Sequence, residues 1–116
     1  MVTQWTFRLD WIVPYVRTTQ MRKHFDKAYH RYAKWKDFCR SVANTKGVPS
    51  DLASSKRYEV HVAVYWKGKA RADLDNCCKG ILDSLWKQDR RVLKITAEAL
   101  EHQTRGDWVL VTVLET

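Results

Sequence analysis

Glycine is scarce, with four residues in 116, and none of them falls in a P-loop or GxGxxG string, which excludes the simplest nucleotide-binding readings. Cysteine is sparse too. Cys39, Cys77 and Cys78 are an odd number, with no CxxC pair and no His at zinc-finger spacing. They support neither a disulfide framework nor a zinc site and are expected to be reduced packing residues. Long apolar runs are missing: nothing approaches the roughly eighteen consecutive apolar residues of a membrane span. No charged leader followed by an apolar core opens the sequence, so a cytoplasmic protein without a membrane partner is expected. The histidines, His24, His30, His61 and His102, are scattered and lack a Ser or Cys partner at recognisable spacing, which leaves triad chemistry little support. Repeats and low-complexity tracts are absent as well.

What the sequence does have is positive charge. Twenty-one Lys and Arg stand against 13 Asp and Glu, a net +8. Such an excess attracts polyanions and releases counterions from phosphates, so a nucleic-acid partner is favoured, although charge alone does not separate DNA from RNA or an anionic membrane. With 45% hydrophobic and 29% charged residues, the composition is that of a folded chain and not a disordered one. Residues 1–116 are expected to form a single domain around one core.

Periodicity supplies the elements. Gln4 to Leu9 alternates, with Trp5, Phe7 and Leu9 on one side of a first strand. Asp10 to Phe25 has no sustained period and reads as a long basic loop carrying Arg17, Arg22 and Lys23. From about Asp26 a helix places Ala28, Tyr32, Trp35, Phe38, Cys39 and Val42 on one face. Asn44 to Lys56, with Gly47, Pro49 and several serines, is an exposed connection. Arg57 to Trp66 alternates cleanly as a second strand, followed by a basic loop from Lys67 to Ala72. A second helix then starts near Asp73 and runs to about Trp86 or Lys87, burying Leu74, Cys78, Ile81, Leu82 and Leu85. Val92 to His102 and Trp108 to Glu115 are two more strands, and the Gly106–Asp107 pair between them suits a hairpin turn. The order β-α-β-α-β-β predicts an α+β domain with a mixed four-stranded sheet and two packed helices.

Charge is densest where the second strand meets the second helix, in KGKARADLDNCCKGILDSLW. With Asp73 at the helix cap and Asp75 in the first turn, two carboxylates emerge together. Lys79 follows Asp75 by four residues and Asp83 follows Lys79 by four, a single helix stripe. Two readings fit. Asp73 can be an ordinary N-cap and the stripe a set of solvated ion pairs, each contributing about 0.2–0.5 kcal/mol. Alternatively, the carboxylates hold a divalent cation, with Lys79 beside a phosphate. An all-aspartate set suits Mg²⁺, with Mn²⁺ as a substitute, better than zinc. Asp89 lies before the third strand, where a short return loop is expected to carry it towards the sheet end that holds Asp73. Arg90 and Arg91 beside it suit phosphate contact or plain solvation.

The string R-x-D-L-D-N-x-x-K-x-x-x-D-x-L, Arg71 to Leu85, resembles the signature of RusA-type Holliday-junction resolvases, and Asp89 with Val92 repeats that family's D-x-x-V before the next strand. The resemblance runs from about Tyr58 to Leu114 and thins to Pro14, Arg17, Tyr32 and Trp35 before that. Ala72 and Gln88 depart from the pattern, which commonly has a basic residue and a second acid there. The resemblance implies that Asp73, Asp75 and Asp89 are metal-binding catalytic carboxylates, that Lys79 is the essential lysine, and that Asn76 and Asp83 support them. It implies Mg²⁺-dependent cleavage of four-way DNA junctions in recombination and repair, by a homodimer of bacterial or phage origin associated with the nucleoid. Two-fold symmetry would suit a junction cut on opposing strands. Arg17, Lys67, Lys69, Arg71, Lys79, Arg90 and Arg91 are the expected DNA contacts, with binding that weakens steeply as salt rises.

The alternative is a basic nucleic-acid-binding protein without catalysis, its aspartates reduced to caps and surface pairs. Of the six tryptophans, Trp5, Trp35, Trp66 and Trp86 are expected to pack, and Trp11 is the candidate for a DNA contact.

Overall fold

Alternation along β2 sets the sheet. Tyr58, Val60, Val62, Val64 and Trp66 are buried while Glu59, His61, Ala63 and Tyr65 between them are half-buried. One face therefore meets a core and the other meets solvent. In the computed structural model, which describes residues 2–15, 27–103 and 106–116, the elements run β1 (Thr3–Leu9), α1 (Lys27–Thr45), β2 (Tyr58–Lys67), α2 (Leu74–Leu85), β3 (Val92–His102) and β4 (Trp108–Glu115). This is the α+β order expected from the sequence, with a mixed four-stranded sheet and two helices.

The sheet order is β1-β4-β2-β3, with β2 and β3 parallel and β4 antiparallel to both β1 and β2. The expected hairpin between β3 and β4 does not form, because β2 lies between them. The physical reason is burial. In β4, Val109, Val111 and Val113 are fully buried, and they sit opposite Val64, Val62 and Val60 on one side and Leu9, Phe7 and Trp5 on the other. Such a strand belongs in the sheet interior. The residues of β3 are mostly exposed, as suits an edge. Strands β3 and β4 therefore lie on opposite sides of β2.

On the covered face α1 packs against β1 and α2, and α2 packs against β2 and β3. Helix α1 buries Tyr32, Trp35, Cys39 and Ala43, while Ala28, expected on that face, is exposed. The helices approach closely at Gly80. A Cβ there would lie 3.3 Å from the Trp35 ring, 3.3 Å from the Tyr15 amide nitrogen and 3.4 Å from the Val13 carbonyl oxygen. Trp35 cannot easily yield: it is fully buried and its Nε1 donates to the Trp11 carbonyl at 3.1 Å.

The stretch after β1 is irregular over 10–15, as expected of a loop, but Ile12 and Val13 are core residues. Helix α2 ends at Leu85, and Trp86 is its buried C-cap, with Nε1 donating to the Pro49 carbonyl at 2.8 Å. Cys39, Cys77 and Cys78 are free, buried thiols. Burial pushes the Cys39 thiol up to about 12 and the Cys77 thiol up to about 11. They are packing residues.

Candidate active site

The chain reaches α2 through a basic loop that is tied down by its backbone. Gly68, at φ 75, turns the chain as it leaves β2 and donates its amide to the His102 carbonyl at 2.7 Å. The Lys67 amide donates to Asp107 Oδ1 at 2.8 Å, and the Ala70 amide to Glu101 Oε2 at 2.6 Å. Arg71 donates to the Lys67 carbonyl at 3.0 Å, pairs with Asp107 and lies 5.0 Å above the Trp66 ring. Burial pushes the Asp107 carboxyl up, but the Arg71 guanidinium and the Lys67 amide outweigh it and hold it below the usual carboxylate range. Arg71, expected as a DNA contact, is thus largely committed within the protein. Lys67 and Lys69 are exposed.

Asp73 is the N-cap of α2, with extended backbone at φ −66 and ψ 138, and its carbonyl accepts the Cys77 amide at 3.1 Å. Its side chain makes no capping hydrogen bond. The backbone of a cap is present while the carboxylate remains uncommitted, unlike a standard Asp cap. Asp75, exposed in the first turn, borders an apolar groove of about 500 Å³ between α2 and β3, with Leu74, Cys78, Lys79, Leu82, Ile95 and Ala97.

Lys79 is exposed and joins this groove to a second, more polar hollow of about 270 Å³, which Tyr15, Asp83, Trp86, Lys87 and Asp89 also line. Lys79 is in no ion pair among the described residues. Asp83 turns to α1 instead, accepting from the Tyr32 hydroxyl at 2.7 Å and from Lys36 Nζ at 3.2 Å. Burial, then the Asp83 hydrogen bond, pushes the Tyr32 phenol well above its usual value. The Asp75–Lys79–Asp83 stripe therefore exists as spacing and not as a ladder of ion pairs. The Asn76 carbonyl accepts the Tyr15 amide at 3.2 Å.

Asp89 is exposed in the turn before β3, its carbonyl accepting the Val92 amide at 2.9 Å. The expectation that it returns to the sheet end carrying Asp73 is corrected. Because β2 and β3 are parallel, α2 must carry the chain back along the whole sheet, and its 12 residues rise about 18 Å. Asp73 follows the end of β2, whereas Asp89 lies where β2 and β3 begin, next to the Tyr58 amide bonded to the Arg91 carbonyl at 2.9 Å. Among the described residues no three of His, Cys, Asp and Glu are grouped to hold a metal ion. Asp73, Asp75 and Asp89 of one chain thus do not fit a single Mg²⁺. Arg90 beside Asp89 is exposed, and Arg91 is half-buried with Nε donating to the Lys56 carbonyl at 2.9 Å. Arg17 lies outside the described residues.

Sequence reasoning passed over several groups near the site. Tyr15 and Lys87 line the Asp89 hollow, and Tyr15 sits in a stretch without any period. Glu101 and Asp107 anchor the basic loop from elements far away in sequence. Ile95, 45% exposed, lines the apolar groove with Ala97, whereas Leu93, 51% exposed, sits at a register shift in β3 and lines a separate hollow with Glu59 and Lys94. Trp11 is half exposed, its ring edge-on to Phe38 at 5.4 Å. No helix among the described residues is long and apolar enough to cross a membrane. Compared with the profiles of known protein families the chain matches none, and no curated protein matches it.

Proposed function

We propose that the chain is a structure-selective endonuclease that hydrolyses phosphodiesters in branched DNA, four-way junctions above all, as a homodimer. One observation carries the reading: Asp73 and Asp75 lie at the start of α2 with Lys79 one turn further on, and among the described residues their charged groups are uncommitted. Among the described residues Asp10, Asp37, Asp83, Asp107, Glu59, Glu101 and Glu115 each engage a partner, whereas Asp73, Asp75 and Asp89, along with Asp51 and Glu98, do not. Uncommitted acids at a helix start, within a +8 chain and inside the Arg71–Leu85 signature, are better explained by chemistry than by stability.

In the proposed reaction the oxygen of a water molecule bonds to phosphorus as a bridging P–O bond breaks, and the departing oxygen leaves as a hydroxyl. Lys79 offsets charge on the phosphate. Lys67 and Lys69 at one end of α2, and Arg90 at the other, attract the DNA backbone. A requirement for Mg²⁺, or Mn²⁺ in its place, belongs to the same proposal, although one chain by itself does not assemble the three carboxylates. That separation favours the rival reading, a basic nucleic-acid-binding protein without catalysis. Synthetic four-way junctions incubated with the wild type and with Asp75→Asn distinguish the two. Metal-dependent nicking by the wild type, with binding but no nicking by the variant, is expected. A wild type that binds junctions without nicking them overturns the proposal.

A further inference from the structure

We propose that the outer flank of α1 is a binding surface for the phosphate backbone of a DNA arm, with Lys27, Arg31 and Lys34 on phosphates of one strand and the Trp11 indole against a base exposed at the branch. The inference rests on the reading of DNA as the partner and is independent of whether the chain cleaves it.

Helix α1 carries half of the chain's net charge, with five basic residues against Asp37 alone in a chain of +8. Its cations fall into two sets. Lys36 pairs with Asp83 and lies 5.0 Å from the Tyr32 ring centre, while Arg40 donates to the Ser84 carbonyl at 3.2 Å and pairs with Asp37. These two fasten α1 to α2. Lys27, Arg31 and Lys34 are exposed and, among the described residues, in no ion pair. Spacings of four and three residues put them on one stripe of the helix. Stability does not explain that stripe, because like charges at these spacings repel and weaken a helix. Lys27 also stands in the first turn, where the helix dipole disfavours a cation, and the last turn, where it would favour one, has none.

The next position on the stripe is Phe38. Against it, edge-on at 5.4 Å, stands the Trp11 ring, 49% exposed. Three cations in a row thus end on an open indole. From Lys27 to Lys34 the helix rises about 10.5 Å, the axial length of about three nucleotides of one strand. Their charged groups can therefore follow a single backbone. A membrane surface fits poorly, since the apolar face of α1, with Tyr32, Trp35, Cys39 and Ala43, is buried in the core and leaves nothing to insert. Strands β1 and β2 both run antiparallel to β4. Trp11, just past β1, therefore lies at the sheet end that carries Lys67, Lys69 and Asp73.

The test is equilibrium binding to a fluorescent four-way junction and to a linear duplex, in EDTA so that nothing is cut, over a range of salt. Lys27→Ala, Arg31→Ala and Lys34→Ala together are expected to weaken binding to both DNAs at least about tenfold and to lower the slope of log affinity against log salt by about three, with an unchanged circular dichroism spectrum. Lys46→Ala, Lys56→Ala and Arg57→Ala together remove the same charge from exposed positions elsewhere, and are expected to change the slope by less than about one. Trp11→Ala is expected to lose several-fold in affinity for the junction and far less for the duplex, whose bases stay stacked. A first triple variant with the wild-type slope, a second that falls as far, or Trp11→Ala with undiminished junction affinity would each overturn the proposal. So would a first triple variant that loses only its binding to phosphatidylserine vesicles, which would assign the row to a membrane. The expected losses in a protein that leaves junctions uncut in Mg²⁺ would retain this surface and defeat the endonuclease reading.

Discussion

Replacing Gly80 with alanine sets two opposing effects against each other at the contact between the helices. Glycine inside a helix is less favourable than alanine by about 0.8–1.0 kcal/mol, so at an open position the change would stabilise. Gly80 is not open. The added methyl would meet the Trp35 ring at 3.3 Å on one side and the Tyr15 nitrogen and Val13 oxygen at 3.3 and 3.4 Å on another. Two of these atoms are backbone, and the third belongs to an indole fixed by its bond to the Trp11 carbonyl. Overpacking of this kind costs about 1–3 kcal/mol, which offsets the gain in propensity and leaves a net loss of up to about 2 kcal/mol. For a chain of this size that corresponds to a fall in Tm of up to about 8 °C, read by thermal denaturation followed by circular dichroism. A rise in Tm would refute the reasoning, since it would mean that α1 yields where the packing says it cannot.

Two other expectations concern titration and reactivity. The Asp107 carboxyl is held below its usual range, so its contribution to stability is complete above the ordinary carboxylate pKa and is lost as the pH falls through the lower folded value. Asp107→Asn is therefore expected to melt earlier than the wild type at neutral pH, with the two curves converging only in strong acid; parallel curves at every pH would count against the Arg71 contact. Cys39 and Cys77, buried and with thiols pushed up to about 12 and about 11, are expected to react with a thiol-specific chromogenic disulfide at pH 8 only once the chain unfolds. Rapid labelling of all three cysteines under native conditions would contradict the packing.

The strands were legible because each interior one buries a single face. Val60, Val62 and Val64, like Val109, Val111 and Val113, alternate with less buried residues, and a slip of one residue would exchange core for solvent. Which strands would be neighbours was not legible. Gly106 and Asp107 have hairpin chemistry, but pairing is decided by where valines can be buried, a property of the whole sheet. Ile12 and Val13 escaped for a related reason: they reach the core on irregular backbone, which leaves no period. At the candidate site, the grouping of Asp73, Asp75 and Lys79 follows from helix geometry over seven residues, a purely local matter. The position of Asp89 depends on the direction of β3 relative to β2, and no spacing within the turn encodes that.

Two acids, one near the end of β3 and one just before β4, also bear on how the chain would grip a polyanion. Glu101 in β3 and Asp107 before β4 hold the backbone of the Lys67–Ala72 loop at the Ala70 and Lys67 amides. The ordering entropy of the loop is thereby spent during folding, and its amines would meet a phosphate already in position. Glu101 and Asp107 would then influence affinity for a polyanion through the rigidity they confer on a loop more than thirty residues upstream.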